Sequence, residues 1–179
     1  GFTWTGCEDV LAFNVIFGNE PTVDNNTVYT DRYTHSLVYT RNISEDWQYV
    51  FQHDLGFQNN SVAGASAEWY GINQYLFYTI NDCWKWGLRA EWFRDDDGAR
   101  VTGLRPAAGN PLLGQAFAGN FYEIATGLNY TPTANLTLRG EVRWDKFSGV
   151  SPTTPGLEPY GDGTRTDQVL FSIDGIYLF

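Results

Sequence analysis

The two histidines of the chain, His35 and His53, are the residue types that first suggest metal chemistry. Predicted strands over 32–41 and 47–58 fold about the turn between them, which places the imidazoles opposite or diagonal to each other. A shared metal ion is geometrically conceivable there, but no third ligand is nearby. The sequence therefore favours a neutral histidine pair and predicts no metal site and no cofactor.

A nucleophile beside a base is the second chemistry to consider. Ser36 follows His35 directly, so in a strand the two side chains point to opposite faces. No acyl-transfer constellation forms, and we expect no catalytic residue and no enzyme activity. The two cysteines, Cys7 and Cys83, are too few for a disulfide framework and lack metal-ligand spacing.

An acidic run, Asp95-Asp96-Asp97-Gly98, lies at the mouth of a predicted loop and could hold a divalent cation. It lacks the alternate spacing and the distal Glu of a helix-loop-helix calcium site. The sequence favours a solvated acidic tip.

Alternation of apolar and polar side chains with a period of two places these residues on β-strands. The first residues also resemble the end of one strand and the turn into the next, so eight strands is a lower limit. The predicted strands are 11–18, 32–41, 47–58, 68–80, 83–94, 121–131, 136–145 and 168–179.

Charged residues on one face of these strands are the strongest functional candidates. If the strands close into a narrow eight-stranded barrel, these charged residues would form salt bridges that plug its interior, and the protein would have a structural role. In a wider barrel they would line water and set ion preference. The predicted pore-lining residues are Asp54, Lys85, Arg89, Glu91, Glu123, Arg139, Glu141, Arg143 and Asp174.

The opposite face carries so many aromatic side chains that a small soluble core could not pack them. Aromatic residues make up 17% of the chain, yet no run approaches the roughly 18 to 20 apolar residues that a membrane helix needs. A helical membrane protein is excluded, whereas a transmembrane β-barrel is allowed because only every second residue must face lipid. The formal net charge of −10 argues against nucleic acid as a partner.

Connection lengths alternate in the way that outer-membrane barrels require, with short turns on the periplasmic side. Short turns are predicted at 42–46, 81–82 and 132–135, and long loops at 19–31, 59–67, 95–120 and 146–167. The loop over 95–120 is long enough to fold into a lumen or to cover its mouth. Amphipathic rings favour the headgroup level. The predicted membrane girdle is Tyr39, Trp47, Tyr78, Trp84, Tyr130, Tyr177 and Phe179.

The chain ends on Phe179 with Tyr177 two residues before it, which resembles the insertion signal of outer-membrane proteins. The stretch from Trp69 to Gly98, WYGINQYLFYTINDCWKWGLRAEWFRDDDG, resembles the β-barrel porins of outer membranes, particularly those of planctomycetes. The resemblance implies a pore without naming its solute. Members of that family are longer than 179 residues, so we expect this chain to be the C-terminal part of a larger barrel. Residues 1–179 are expected to form a single domain.

The sequence therefore predicts an all-β, antiparallel up-and-down transmembrane barrel that is integral to the bacterial outer membrane. We expect a porin for passive diffusion of small hydrophilic solutes or ions, with a closed barrel acting as anchor or assembly partner as the alternative. A soluble lipocalin-like carrier would place Lys85, Arg89 and Glu91 in an apolar pocket. The expected partners are outer-membrane lipid and the barrel assembly machinery, with a second copy or other envelope proteins as further candidates.

Overall fold

A computed structural model describes residues 1–21, 27–62, 65–101, 116–151 and 154–179. These residues form one antiparallel sheet in which each strand pairs with the next along the chain. In the described ranges we find no helix that is long and apolar enough to span a membrane. The predicted all-β, up-and-down architecture is confirmed. The strands are β1 (Phe2–Thr5), β2 (Asp9–Pro21), β3 (Tyr29–Asn42), β4 (Trp47–Val62), β5 (Ala65–Asn81), β6 (Trp84–Asp95), β7 (Ala118–Thr133), β8 (Leu136–Val150) and β9 (Asp167–Tyr177).

The eight predicted strands correspond to β2 through β9, and β1 is the preceding strand that the first residues indicated. The long loop predicted over 59–67 is wrong, because β4 continues to Val62 and β5 already begins at Ala65. Small and polar residues there suggested a loop, but ladder hydrogen bonds use the backbone, and the pairing resumes after an irregularity between Gln58 and Val62. At the other end β9 stops at Tyr177, so Phe179 lies beyond the strand.

Strand register divides the side chains between two faces, because directly paired residues share a face. One row runs across β6, β7 and β8 through Glu91, Glu123 and Asp145, and we call its side of the sheet the charged face. The row through Leu88, Thr126 and Val142 lies on the opposite side, which we call the apolar face.

The two ends of the sheet differ in their connections. Tight turns at 6–8, 43–46, 82–83 and 134–135 form the short-turn end. At the other end, which we call the long-loop end, the strands border the two-residue connection 63–64 and the longer connections 22–28, 96–117 and 151–166. Asn81 shows why a turn can be so short: its side-chain oxygen accepts hydrogen bonds from the backbone N–H groups of Cys83 (3.0 Å) and Trp84 (3.1 Å).

The most buried side chains lie at the long-loop end of the charged face. Phe117, which precedes β7, packs edge-on against Phe147 with ring centroids 5.9 Å apart. The N–H of Phe117 donates to the carbonyl of Val101 over 3.1 Å, so the two described flanks of the loop between β6 and β7 are joined. A second cluster of Trp69 and Ala99 is also buried. The core of the described structure is therefore where loop segments cover the charged face.

Asp95 is fully buried in this region, so the predicted solvated acidic tip is wrong for this residue. Its carboxylate accepts hydrogen bonds from the backbone N–H groups of Ala99 (3.0 Å), Arg100 (2.7 Å) and Val101 (2.7 Å). Three donors directed at one carboxylate compensate its desolvation. The aspartate is a structural cap that folds residues 96–101 back toward the sheet.

Asp96 and Asp97 also have interaction partners within the chain. Asp96 forms an ion pair with Arg94, and Asp97 accepts a hydrogen bond of 3.0 Å from the backbone N–H of Glu68. In the described ranges no group of three or more His, Cys, Asp or Glu residues could hold a metal ion.

Candidate functional site

An ionic network occupies the middle of the charged face on β6, β7 and β8. Glu123 lies between two arginines: it forms an ion pair with Arg89 and another, over 3.2 Å, with the Nε of Arg143. Arg143 also donates to Asp145 over 2.8 Å, and the amide of Gln168 donates to the other oxygen of Asp145 over 2.7 Å. The acids and the arginines occupy alternate rows because their strands pair without a register shift there.

Tyr160 lies next to this network. Between β8 and β9, residues 160–165 form a small turn in which Tyr160 pairs with Arg165. A cavity of about 190 Å³ is lined by Tyr160, by Val101 and by network residues that include Glu123. Burial, followed by the negative charge of Asp145, raises the pKa of the Tyr160 phenol to about 12. The tyrosine therefore stays neutral and keeps its hydroxyl beside the ionic network at ordinary pH.

Other charges on the same face have fewer partners. Arg139 donates to Asp174 over 2.8 Å, and Asp54 accepts from Gln52 over 2.6 Å. Three further charged residues form no ion pair and no side-chain hydrogen bond within the described part of the chain: Lys85, Glu91 and Glu141.

Two cavities lie on the charged face toward the short-turn end. The larger has a volume of about 960 Å³ and is lined by Glu8, Trp47 and Lys85 among others. The second has a volume of about 400 Å³ and lies beside the ring of Phe77. This part of the charged face therefore has room for small solutes.

At the long-loop end the charged face carries stacked and hydrogen-bonded arginines. Two guanidinium nitrogens of Arg32 donate hydrogen bonds to the side-chain oxygen of Gln58, over 2.9 and 2.6 Å. The guanidinium carbons of Arg32 and Arg100 lie 5.8 and 4.6 Å from the ring centre of Trp69. Such cation–π contacts hold the arginine heads close to the ring.

The apolar face exposes large hydrophobic side chains on every strand from β7 to β9. Ile124 on β7 is 50% exposed, and Trp144 on β8 is 39% exposed. Soluble proteins rarely expose apolar surface on this scale. At the short-turn end of this face, aromatic rings stack in pairs: Trp47 on Tyr78 at 4.5 Å, and Trp84 on Tyr130 at 4.4 Å.

The histidines also lie on the apolar face, where His35 pairs with Leu55 and His53 with Leu37. They are diagonal neighbours, and Nε2 of His35 lies 3.3 Å from Nδ1 of His53. The hydroxyl of Tyr33 lies 3.3 Å from the other ring nitrogen of His35. The imidazoles were predicted to lie opposite or diagonal to each other, and the structure places them diagonally, with ring nitrogens within hydrogen-bonding distance.

A family model matches the whole chain, residues 1–179, and its description is "Putative beta-barrel porin-2, OmpL-like". The chain belongs to this β-barrel porin family. This membership agrees with the family that the segment from Trp69 to Gly98 resembles. No curated protein and no solved structure matches the chain.

In this porin family member, strand register brings the predicted pore-lining residues to a single face. The row of Arg89 and Arg143 is flanked by the row of Glu91 and Glu123, and Asp54 lies on the same side two strands away. Lys85, Arg139, Glu141 and Asp174 occupy this face nearer the short turns. Their exposure to a pore stays a prediction.

The predicted girdle residues other than Phe179 lie on the apolar face. Tyr39 donates a hydrogen bond of 2.6 Å to Asp9, and Tyr177 pairs with Leu136. Phe179 lies outside β9 and is fully exposed. Contact of these rings with a membrane interface stays a prediction.

The sequence reasoning missed three features of the charged face. Asp145 shares the alternation of its strand and joins the ionic network, so its position in the pattern could have identified it as a candidate. Tyr160 lies in a connection without periodicity, and no sequence signal indicates its contact with the network. The glycine pair of Gly87 and Gly127 becomes visible only once the register of β6 and β7 is known.

Proposed function

We propose that the protein is an outer-membrane porin through which small hydrophilic solutes and ions diffuse passively, without a cofactor or a chemical step. The observation that carries the proposal is the separation of the two faces. The network around Glu123 lies on one side of the sheet, and exposed residues such as Ile124 and Leu128 lie on the other. A lipid-facing exterior and a water-filled interior require this arrangement.

Charges without ionic partners favour an open lumen over a plug. A closed ionic core would leave Glu91 and Glu141 buried without compensation, which is costly. In contact with water the same carboxylates need no protein partner. Cavities of about 400 and 960 Å³ on this face provide room for that water.

A closed barrel that serves as an anchor is the second candidate. The paired charges of Arg89, Glu123, Arg143 and Asp145 favour it, because they satisfy one another in the middle of the face. The cavity beside Tyr160 has a volume of about 190 Å³ and is smaller than the two cavities toward the short-turn end. The two candidates differ in whether solutes pass.

Swelling of liposomes distinguishes the candidates. Full-length protein reconstituted into vesicles should admit small sugars at rates that fall with their molecular mass, and empty vesicles give the baseline. Equal swelling rates with and without protein would favour the closed barrel.

We further propose that the barrel assembly machinery inserts the protein, with outer-membrane lipid as its surroundings. Phe179 is fully exposed beyond β9, so its deletion removes no packing contact within the chain. The deletion should lower assembly in the outer membrane while detergent-refolded protein keeps its stability. Unchanged assembly in cells would contradict the role of Phe179 as an insertion signal.

A further inference from the structure

A groove on the charged face combines an aromatic surface with unpaired polar groups. Tyr75 and Phe77 are both on β5 and point to this face, with ring planes 15° apart and centroids 6.1 Å apart. Both rings line the cavity of about 400 Å³. The two rings therefore provide apolar aromatic surface within an otherwise polar region.

Gly87 leaves space beside the ring of Phe77. Gly87 on β6 pairs directly with Gly127 on β7, and both belong to the charged face. A Cβ at Gly87 would lie 3.3 Å from the Phe77 ring, so its absence leaves that ring accessible. Because the backbone forms the floor of the groove here, a flat solute can approach the aromatic surface.

Polar side chains around the groove are free to bind a solute. Asn129, Glu141 and Ser172 line it, and none of them forms a side-chain hydrogen bond or ion pair in the described ranges. Together they offer amide and hydroxyl donors as well as carboxylate and carbonyl acceptors. A solute with many hydroxyl groups, each both donor and acceptor, matches this set.

The charges that line the groove balance. Arg89 and Arg139 contribute two positive charges, and Glu141 and Asp174 contribute two negative charges, so the formal sum is zero. A lone organic cation would be attracted by the rings but repelled by the two arginines. The balance favours a neutral solute.

We propose that this groove is a binding subsite for a neutral sugar ring. The C–H groups on one face of a pyranose pack against the aromatic surface of Phe77 and Tyr75, and its hydroxyls bind Asn129, Glu141 and Ser172. Binding sites that combine an apolar surface with a few placed polar groups are typical for small ligands. The proposal rests on the proposed function, since a sugar would reach the groove through the pore.

Block of ion current by maltotriose tests the subsite in planar bilayers with the full-length protein. The current should fall with saturation as maltotriose rises, whereas a polyethylene glycol of similar size should lower it without saturating. Phe77→Leu keeps apolar volume but removes the ring, and should raise the half-saturating concentration about fivefold. Gly87→Val should abolish saturable block, because the valine side chain occupies the space beside Phe77.

The matched control is Phe93→Leu, the same substitution on the same face but outside the groove. It should leave the half-saturating concentration unchanged. Equal effects of the two leucine variants, or the same block by maltotriose and polyethylene glycol, would overturn the subsite. If the protein gives no steady current, the proposed pore fails, but the subsite can still be tested by calorimetric titration of the detergent-solubilised protein with maltotriose. Binding by the parent that is lost in Gly87→Val would support the subsite. No binding by the parent would overturn it.

Discussion

Glu91 and Glu123 face each other directly across β6 and β7 on the charged face, yet only Glu123 is paired with arginine. Two neighbouring carboxylates of which one is compensated leave a net negative charge at the middle of this face. In a pore, that charge would attract cations.

Replacing Glu91 by Gln should therefore weaken the cation preference of the pore. The effect should shrink as salt rises, because screening shortens the reach of the charge. Reversal potentials across a salt gradient give the permeability ratio. Glu68→Gln is the control, since Glu68 is exposed and pairs with Phe57 on the opposite face. A Glu91→Gln variant as cation-selective as the parent would place Glu91 away from the ion path.

Removing basic residues from the charged face should have the opposite effect on ion preference. Replacing Arg89 and Arg139 together by Gln should strengthen the cation preference, because Glu123 and Asp174 each lose an arginine partner. The same reversal-potential measurement checks this. A shift toward anions would mean that the assignment of these side chains to the lumen is wrong.

A charged side chain introduced on the apolar face should destabilise the folded protein in the membrane. Val142 is 40% exposed on this face, so Val142→Lys should cost about 2 to 4 kcal/mol near the bilayer midplane. Ser172→Lys introduces the same residue on the charged face opposite Glu141 and should cost far less. Urea titration of folding into lipid vesicles measures both free energies. Equal costs at the two positions would contradict the assignment of faces.

The sequence predicted the strands and their faces because a period of two is visible in residues such as Arg89 and Arg143. It did not predict how far β4 and β5 extend, since ladder pairing depends on backbone groups and not on side-chain type. It also misplaced Asp95, because the burial of this carboxylate depends on a return of residues 96–101 that has no periodicity. The histidine pair was predictable, since one turn relates the two strands.

Asp95 should be the residue that holds residues 96–101 against the sheet. Asp95→Ala leaves three backbone N–H groups without their acceptor, at a cost of about 1 to 3 kcal/mol. Tryptic cleavage after Arg100 should become faster, and the free energy of unfolding should fall. Asp96→Ala removes a partly exposed ion pair and should cost about 0.2 to 1 kcal/mol. Equal protease sensitivity in the two variants would contradict the capping role.

Tyr160 should make the structure sensitive to high pH. Its folded pKa of about 12 lies above the ordinary value of 10.0, so its contribution to stability is fully present below pH 10 and is lost as pH rises toward 12. The absorbance at 295 nm of the parent minus that of Tyr160→Phe should titrate with a midpoint near 12. A midpoint near 10 would mean that the phenol is not buried beside Asp145.

Single-channel recording in planar bilayers tests the central claim most directly. Full-length protein should give a steady conductance with a weak preference for cations that fades as the salt concentration rises. Absence of any steady conductance from protein that is folded in the bilayer would contradict the porin and favour the closed barrel.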